Sequence, residues 1–324
     1  RKDAEAALGD LPGVAVVEFV DTAPTTPPSL GMVGRKPQSA AAAGGVDASL
    51  LPEVRHTVAI ASGKGGVGKS TVAVNLAVAL AKNGLRVGLL DADVYGPSIP
   101  VMFGLVGQRP RMEAGGKRLV PFERYGVRFM SLGFLVEPDA PVIWRGPMVM
   151  KGLDQLLRDV AWGALDVLVV DMPPGTGDVQ LTLAQKVQLA GAVIVTTPQD
   201  VALADAVKGV AMFDQVQVPV LGIVENMSYF VCPHCGERSE IFGHGGAQAE
   251  AKRLGVPFLG EIPLEPSIRS GGDTGHPAAD GDGPQAESFR RLAATVQNAL
   301  GAEAPPTDDA TGPGVIGRFR RIFE

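Results

Sequence analysis

The chain has 324 residues, of which 45% are hydrophobic and 20% charged, and its formal net charge is −6. This length suffices for one large α/β domain with a buried core. The mildly acidic charge argues against a whole-molecule field that attracts nucleic acid or anionic lipid, and no apolar run approaches the ~18 residues of a membrane span. We therefore expect neither nucleic acid nor a membrane as partner.

The first fifty residues are predicted to lie outside the main domain. Residues 4–20 fit a short helix followed by a strand, which is too little for a domain, and the Thr-, Pro-, Ala- and Gly-rich residues after them are typical of a linker. Because the sequence opens without a methionine or a signal-peptide apolar core, we expect it to begin inside a longer protein. The predicted organisation is a small N-terminal remnant over 1–21, a flexible linker over 22–51, one compact domain over 52–301 and a flexible tail over 302–324. The tail ends in GVIGRFRRIFE, which has the spacing of a short amphipathic helix.

Strands and helices alternate through the compact domain. Short β-rich runs are predicted at 57–63, 86–93, 126–134, 165–173, 192–198, 218–226 and 256–263. Helices are predicted at 70–84, 147–161, 179–189, 199–213, 245–254 and 285–300. This alternation predicts an α/β fold with a mostly parallel central sheet and helices on both faces.

The first strand runs into a phosphate-binding loop. The loop matches G-x-x-x-x-G-K-[ST] directly between a buried strand and a helix, which is the context that a P-loop requires. Its glycines let backbone N–H groups face the phosphates, Lys69 is expected to reach the β- and γ-phosphates, and Ser70 is expected to bind Mg²⁺. The residues predicted to surround the nucleotide are Gly63, Lys64, Gly65, Gly66, Val67, Gly68, Lys69, Ser70 and Thr71.

Lys64 is a second lysine in a loop that needs only one. From this position it cannot easily fold back onto the phosphates held by Lys69, but it can reach across a two-fold axis to the nucleotide of a second chain, as an arginine finger does. The alternative is a solvated loop lysine. The first interpretation makes hydrolysis depend on a dimer.

Three aspartates are predicted to meet beside the phosphates. Asp91 and Asp93 end one strand at positions i and i+2, and Asp171 ends the apolar run LDVLVVD. Carboxylates at the carboxyl ends of buried parallel strands gather where ligands bind in open α/β sheets. We expect a shared Mg²⁺ site, the alternative for Asp91 and Asp93 being a helix cap.

The two cysteines, Cys232 and Cys235, stand at C-x-x-C spacing in one loop and argue against a disulfide framework and for a reducing cytoplasm. Two thiolates do not complete a four-ligand site, whereas two chains related by a two-fold axis supply four. The residues leave three alternatives open: a bridging [4Fe–4S] cluster, a structural Zn²⁺ and a redox dithiol. His234 is expected to be solvated and His244 to lie in a glycine turn.

The motifs together resemble a known family. Lys64 to Ser70 look like the deviant Walker A motif of the ParA/MinD-type P-loop ATPases, and the match narrows to the Mrp family of iron–sulfur cluster carrier ATPases. The strings that narrow it are DVYGPS (93–98), WRGP (144–147), DMPPGTGD (171–178), TTPQ (196–199), ENMS (225–228) and CPHC (232–235). Residues 4–20 are similar to the end of the small α/β domain that often precedes the ATPase in this family.

The resemblance implies a role for each matched residue. Lys64 contacts the partner's nucleotide, Asp171 holds Mg²⁺ through water with Asp91 in support, and Asp93 in switch I positions the attacking water. Switch II spans 173–177. Asn226 reads the adenine edge through its amide, and Pro263 also contacts the nucleotide. Cys232 and Cys235 hold the [4Fe–4S] cluster. Without the resemblance, the sequence around Asn226 indicates only a turn at the end of a strand.

Three functions follow as hypotheses. The first is a cytoplasmic homodimeric ATPase with slow turnover alone, which carries a bridging [4Fe–4S] cluster, works with cluster assembly proteins and delivers the cluster to apo-proteins. In it, switch II transmits the nucleotide state to the cysteine loop. The second is a ParA/MinD-like positioning switch on DNA or membrane, for which residues 317–324 are the candidate surface. The third is a zinc-stabilised ATPase with an unrelated client.

Overall fold

The computed structural model describes residues 47, 49–94, 96–135 and 146–303, with no side chains at 146 and 147. All of these residues belong to one compact unit. The predicted remnant over 1–21, most of the linker, the tail from 304 onward, Tyr95 and the Trp144–Arg145 part of the family motif lie outside the described residues. Among the described helices, none is long and apolar enough to cross a lipid bilayer.

The fold is built on an eight-stranded sheet in the order β10-β7-β6-β1-β5-β2-β4-β3. All neighbouring strands are parallel except β3, which pairs antiparallel with β4 at one edge. The bounds are β1 Val54–Ala61, β2 Val87–Asp91, β3 Phe122–Arg124, β4 Val127–Ser131, β5 Leu165–Asp171, β6 Gly191–Thr196, β7 Val220–Glu225 and β10 Phe258–Glu261. The predicted fold class is confirmed.

The helices lie on both faces of the sheet. Their bounds are α1 Lys69–Lys82, α2 Ile99–Met102, α3 Gly146–Arg158, α4 Asp178–Lys186, α5 Asp200–Gln215, α6 Gly246–Leu254, α7 Pro266–Thr274 and α8 Pro284–Leu300. The crossover from β1 to β2 runs toward one edge of the sheet, and the crossovers from β5 through β6 and β7 to β10 run toward the other. Since such crossovers are right-handed, α1 covers one face and α4, α5 and α6 cover the opposite face.

The core follows the apolar runs in the sequence. Strand β5 is buried along its whole length, and β1 is buried from Thr57 onward. Strands covered on both faces are continuous Val, Ile and Leu runs rather than alternating ones, which is why the sequence pattern located them. The nucleotide loop therefore leaves the middle of the sheet from the buried carboxyl end of β1.

Several short elements were not predicted. They are α2, β3, α7 and a hairpin of two-residue strands, β8 Phe230–Val231 and β9 Arg238–Ser239, which forms a separate two-stranded sheet. The strands and α2 are too short to show a period of 2 or 3.6 residues, and the nine residues of α7 include Pro266, Gly271 and Gly272, which are poor helix formers. The predicted helix over 147–161 ends earlier, at Arg158, because the Ala161 N–H is bonded to the Leu119 carbonyl.

Candidate functional site

The P-loop connects β1 to α1, and two of its glycines adopt a left-handed backbone. Gly66 and Gly68 both have φ of 82°. A Cβ at Gly68 would lie 2.2 Å from Nδ2 of Asn226, and one at Gly63 would lie 2.1 Å from the backbone oxygen of Asp205 in α5. Glycine is therefore required for conformation at Gly68 and for close packing at Gly63.

Lys69 is the first residue of α1, and its ammonium is buried among carboxylates. Its Nζ lies 2.6 Å from Oδ1 of Asp171 and 3.5 Å from Oδ2 of Asp93, and it donates to Oγ of Ser70 at 3.3 Å. Burial raises the pKa of Asp171, while the Lys69 ammonium opposes that rise. The structure thus brings together the cation and two of the three aspartates that the sequence predicted to meet.

Asp91 completes the carboxylate cluster from the neighbouring strand. It lies opposite Asp171 in the register of β2 and β5, and it accepts hydrogen bonds from Oγ of Ser131 at 2.8 Å and from the Asp93 backbone N–H at 3.1 Å. Burial, and then the charge of Asp171, raise the pKa of Asp91 to about 8. Asp91 caps no helix here, because its partners are a strand-end hydroxyl and the turn that carries Asp93.

These residues fit a magnesium ion. Oδ2 of Asp171 is buried and has no hydrogen-bond partner among the described residues, so its lone pairs are unsatisfied. The Ser70 hydroxyl and the Asp93 carboxylate supply further hard oxygen donors next to it, which is the ligand type that Mg²⁺ prefers.

The segment predicted to be switch II, residues 173–177, begins two residues after Asp171. The Gly175 N–H donates to the Ser62 carbonyl at 2.9 Å, and Gly175 has φ of 93°. The Ser62 hydroxyl in turn donates to the Lys64 carbonyl at 2.9 Å. Ser62 therefore joins the start of the P-loop to switch II, a role that sequence reasoning missed.

Lys64 is half-buried, and within the part of the chain that the structure describes its ammonium makes no hydrogen bond or ion pair.

Asn226, at the end of β7, is buried, and its Nδ2 donates to the Val67 carbonyl at 2.9 Å. Pro263 is buried just past the end of β10. The neighbouring Ile262 carbonyl accepts from the Ser228 N–H at 3.0 Å. The predicted base contacts thus lie on two adjacent strand ends, with Asn226 touching the P-loop.

The two cysteines lie in the loop of the β8–β9 hairpin, which begins four residues after Asn226. Both are free thiols, and Cys235 is exposed. The loop is closed by backbone hydrogen bonds from Cys232 to Glu237 and from Gly236 to Cys232, both 2.9 Å. Hydrogen bonds from the backbone N–H groups of Cys235 and His234 lower the pKa of Cys232. This geometry favours the thiolate, which is the form that binds metal.

A charged cluster that the sequence analysis did not identify lies at the base of this hairpin. Glu225 is fully buried and accepts hydrogen bonds from the Ser228 hydroxyl at 2.6 Å and from the N–H groups of Gly245 and Ala247 at 3.2 and 2.8 Å. It thus provides an anion at the start of α6. His244 lies in the glycine turn as expected, with Nε2 3.5 Å from Oε1 of Glu261.

Arg238 of β9 completes this cluster. Its Nη2 lies 3.0 Å from Nδ1 of His244 and 3.5 Å from Oε2 of Glu261, and its guanidinium lies 3.9 Å from the centre of the Tyr229 ring. Donor atoms of Glu225, His244 and Glu261 all lie within 4.8 Å of one another. Because the guanidinium supplies the positive charge, this is an ion-pair network. The only sequence signals for it were the ENMS string and an arginine three residues after the second cysteine.

Comparison with known proteins bears on this arrangement. A family model described as the ParA-type NUBPL iron-transfer P-loop NTPase matches residues 53–297. An Arabidopsis thaliana iron-sulfur protein required for NADH dehydrogenase is 60% identical over 241 residues, which are 74% of this chain and 76% of that protein. An iron-sulfur cluster carrier protein of Synechocystis is 50% identical over 303 residues, covering 93% of this chain and 82% of the relative.

Solved structures agree with the fold. A nucleotide-binding protein of Archaeoglobus fulgidus, in complex with ADP and with Co found in it, is 43% identical, with a TM-score of 0.63 over 70% of this chain and 89% of that one. The septum site-determining protein MinD of Pyrococcus horikoshii with Mg-ADP is 25% identical, with a TM-score of 0.56 over 76% of this chain and 98% of that one.

Proposed function

The chain belongs to the ParA-type family of NUBPL iron-transfer P-loop NTPases, and we propose that it is a homodimeric ATPase that carries a [4Fe–4S] cluster and transfers it to apo-proteins. The proposed ligands of the cluster are Cys232 and Cys235 of each subunit. Relatives named as iron-sulfur cluster carrier or transfer proteins, at 50% to 55% identity, support this cargo. We propose that client proteins and cluster assembly proteins are its partners, in a reducing compartment such as the cytoplasm.

One observation carries the proposal. A small hairpin holds two free thiols, with backbone N–H groups donating to the sulfur of Cys232. The strand that leads into this hairpin, β7, ends at Glu225, and the next residue, Asn226, contacts the P-loop. The two thiols and the nucleotide loop are thus both connected to the chain at the end of β7. Because two thiolates fill half of a four-ligand site, a two-fold dimer is the simplest arrangement that completes it.

The proposed hydrolysis uses residues that surround Lys69. Lys69 binds the β- and γ-phosphates in place of its present partner Asp171, and Lys64 of the second chain neutralises charge that develops on the transferred phosphoryl group. Asp93 orients the attacking water. Ser70 and Asp171, with Asp91 in support, would hold Mg²⁺, which supplies charge neutralisation at the phosphate oxygens. The remaining loop residues and Thr71 cradle the phosphates, and Asn226 and Pro263 contact the base.

Anaerobic reconstitution with iron and sulfide tests the cargo. We expect brown protein with broad visible absorption, about four iron atoms per two chains, and elution at the size of a dimer. A Cys232→Ser, Cys235→Ser variant is expected to stay colourless, whereas the loop control His234→Ala keeps its colour. Full colour in the double variant means that these thiols are not the ligands. Zinc retained through purification, with no iron taken up, favours the zinc-stabilised ATPase instead.

A mixing experiment tests the role of Lys64. Lys64→Ala and Lys69→Ala chains are each expected to lose hydrolysis by at least about 100-fold. In a mixed dimer, the Lys64→Ala chain still binds nucleotide and receives an intact Lys64 from its partner, so phosphate release should return to a sizeable fraction of the wild-type rate. Lys208→Ala, which removes an exposed lysine paired with Asp205, serves as control. If the mixture of the two variants hydrolyses ATP no faster than each variant alone, Lys64 does not act on the nucleotide of the second chain.

A further inference from the structure

The cysteine hairpin has few attachments to the rest of the molecule. Its two strands pair only at Phe230 with Ser239 and at Val231 with Arg238. In the part of the chain that the structure describes, no hydrogen bond or ion pair joins the hairpin to switch II. Two-stranded hairpins of this size are marginally stable alone, so the contacts at the base decide where the two thiols are held.

Arg238 makes three of those contacts. Its side chain leaves β9, covers the Tyr229 ring and reaches Glu261 at the end of β10. Its Nη2 also lies 3.0 Å from His244 in the turn before α6. A stacked guanidinium with a carboxylate partner is fixed in direction by its planar shape, which a lysine does not reproduce.

The surfaces that Arg238 contacts are connected to the nucleotide loop. His244 lies 3.4 Å from the Ser228 hydroxyl, which donates to the buried Glu225. Glu225 is followed by Asn226, whose amide donates to the Val67 carbonyl in the P-loop. Between Asn226 and Ser228, Met227 has φ of 55°, a left-handed conformation that is strained in a residue other than glycine. The strained turn therefore lies between the P-loop contact and the hairpin contacts.

We propose that Arg238 is a positioning residue, which fixes the orientation of the cysteine hairpin relative to β7 and β10 and so makes the thiols respond to the nucleotide. A ligand that draws the Asn226 amide away from Val67 acts on the same turn that holds Ser228 and Glu225. This inference rests on the proposed function for the nature of the cargo, but not for the connection itself. The connection between the P-loop and the cysteines through Asn226, Ser228 and Arg238 does not involve switch II.

Thiol reactivity measures this connection without any cluster. The full-length protein is freed of metal, and its reaction with Ellman's reagent is followed with and without ADP and Mg²⁺. We expect ADP to change the reaction rate of Cys232 and Cys235 by about threefold to tenfold in the wild type. This range corresponds to the combined free energy of one cation–π contact and one ion pair. In Arg238→Ala the ratio of the rates with and without ADP should approach one. The affinity for a fluorescent ADP analogue should stay within about twofold of the wild type.

Two further variants separate positioning from folding. Arg238→Lys keeps the charge but not the planar stack, so an intermediate ratio is expected. Arg253→Ala removes a nearby exposed arginine paired with Glu250 on α6 and should match the wild type. If Arg238→Ala does not fold, Glu261→Gln removes the carboxylate from outside the hairpin and should also lower the ratio.

A wild-type ratio kept in folded Arg238→Ala overturns the inference, as does a wild-type ratio of one. Neither result bears on whether the cysteines assemble a cluster in the reconstitution experiment. Conversely, failed reconstitution together with a nucleotide-dependent thiol rate would remove the proposed cargo and leave the role of Arg238 standing.

Discussion

The two ends of the β2–β5 strand pair carry buried aspartates in opposite electrostatic situations. At the amino end, Asp166 receives three hydrogen bonds from Arg86, from its backbone N–H and its Nε at 2.9 Å and from its Nη2 at 2.7 Å. These bonds hold the pKa of Asp166 below its ordinary value. At the carboxyl end, Asp91 and Asp171 lie side by side with one ammonium nearby, and burial raises the pKa of both.

The difference shows how one pair of strands serves two purposes. The amino end is satisfied by groups of the chain itself, so it contributes to stability. The carboxyl end keeps two carboxylates close together and leaves Oδ2 of Asp171 without a partner among the described residues, an arrangement that costs free energy unless a cation joins it. Buried charge that the chain does not satisfy is typical of a functional site.

The largest expected effect is at the carboxyl end. Asp171→Asn should lower ATP hydrolysis by at least about 100-fold, because the amide brings no negative charge to the metal shell. The free energy of unfolding should change little, because the substitution also removes a carboxylate whose charge is opposed by burial. Phosphate release and urea unfolding measure the two quantities. Hydrolysis within fivefold of the wild type would contradict the assignment of Asp171 to the metal site.

The matching substitution at the amino end should have the reverse outcome. Asp166→Asn leaves Arg86 without its bidentate partner, so we expect a loss of about 2 kcal/mol in the free energy of unfolding, moderated because the Arg86 side chain is 43% exposed. Hydrolysis should stay within about twofold of the wild type. Comparable damage to hydrolysis in the two variants would remove the distinction between the two ends.

The stability difference between wild type and Asp166→Asn should depend on pH with a defined sign. Since the folded pKa of Asp166 lies below the unfolded value of about 3.9, the stabilisation is fully present above that value and is lost as the pH falls through the folded pKa. Urea midpoints at pH 7 and pH 5 should show the same gap between the two proteins, and the gap should close below about pH 4. A gap that persists in strong acid would assign the stabilisation to packing instead of charge.

Much of the fold was predictable because its strands are buried on both faces. Continuous apolar runs such as LDVLVVD located the parallel strands, and the P-loop motif located the start of α1. The expectation that Asp91, Asp93 and Asp171 lie close together followed from the rule that the carboxyl ends of parallel strands share one edge. These predictions required only local sequence and one topological rule.

What escaped prediction depends on contacts between distant residues. Arg86 and Asp166 are 80 positions apart, and no local pattern indicates that they pair. Arg238, His244 and Glu261 meet only because β7 and β10 are neighbours in the sheet, which a list of predicted strands does not reveal. The hairpin strands of two residues are too short for any period to appear.

The β8–β9 hairpin stands apart from the eight-stranded sheet, and this separation bears on how the protein can diverge. A change in its loop alters the proposed cluster ligands without disturbing a hydrogen bond of the eight-stranded sheet. The hairpin loop can therefore change during evolution while the nucleotide-binding sheet stays the same.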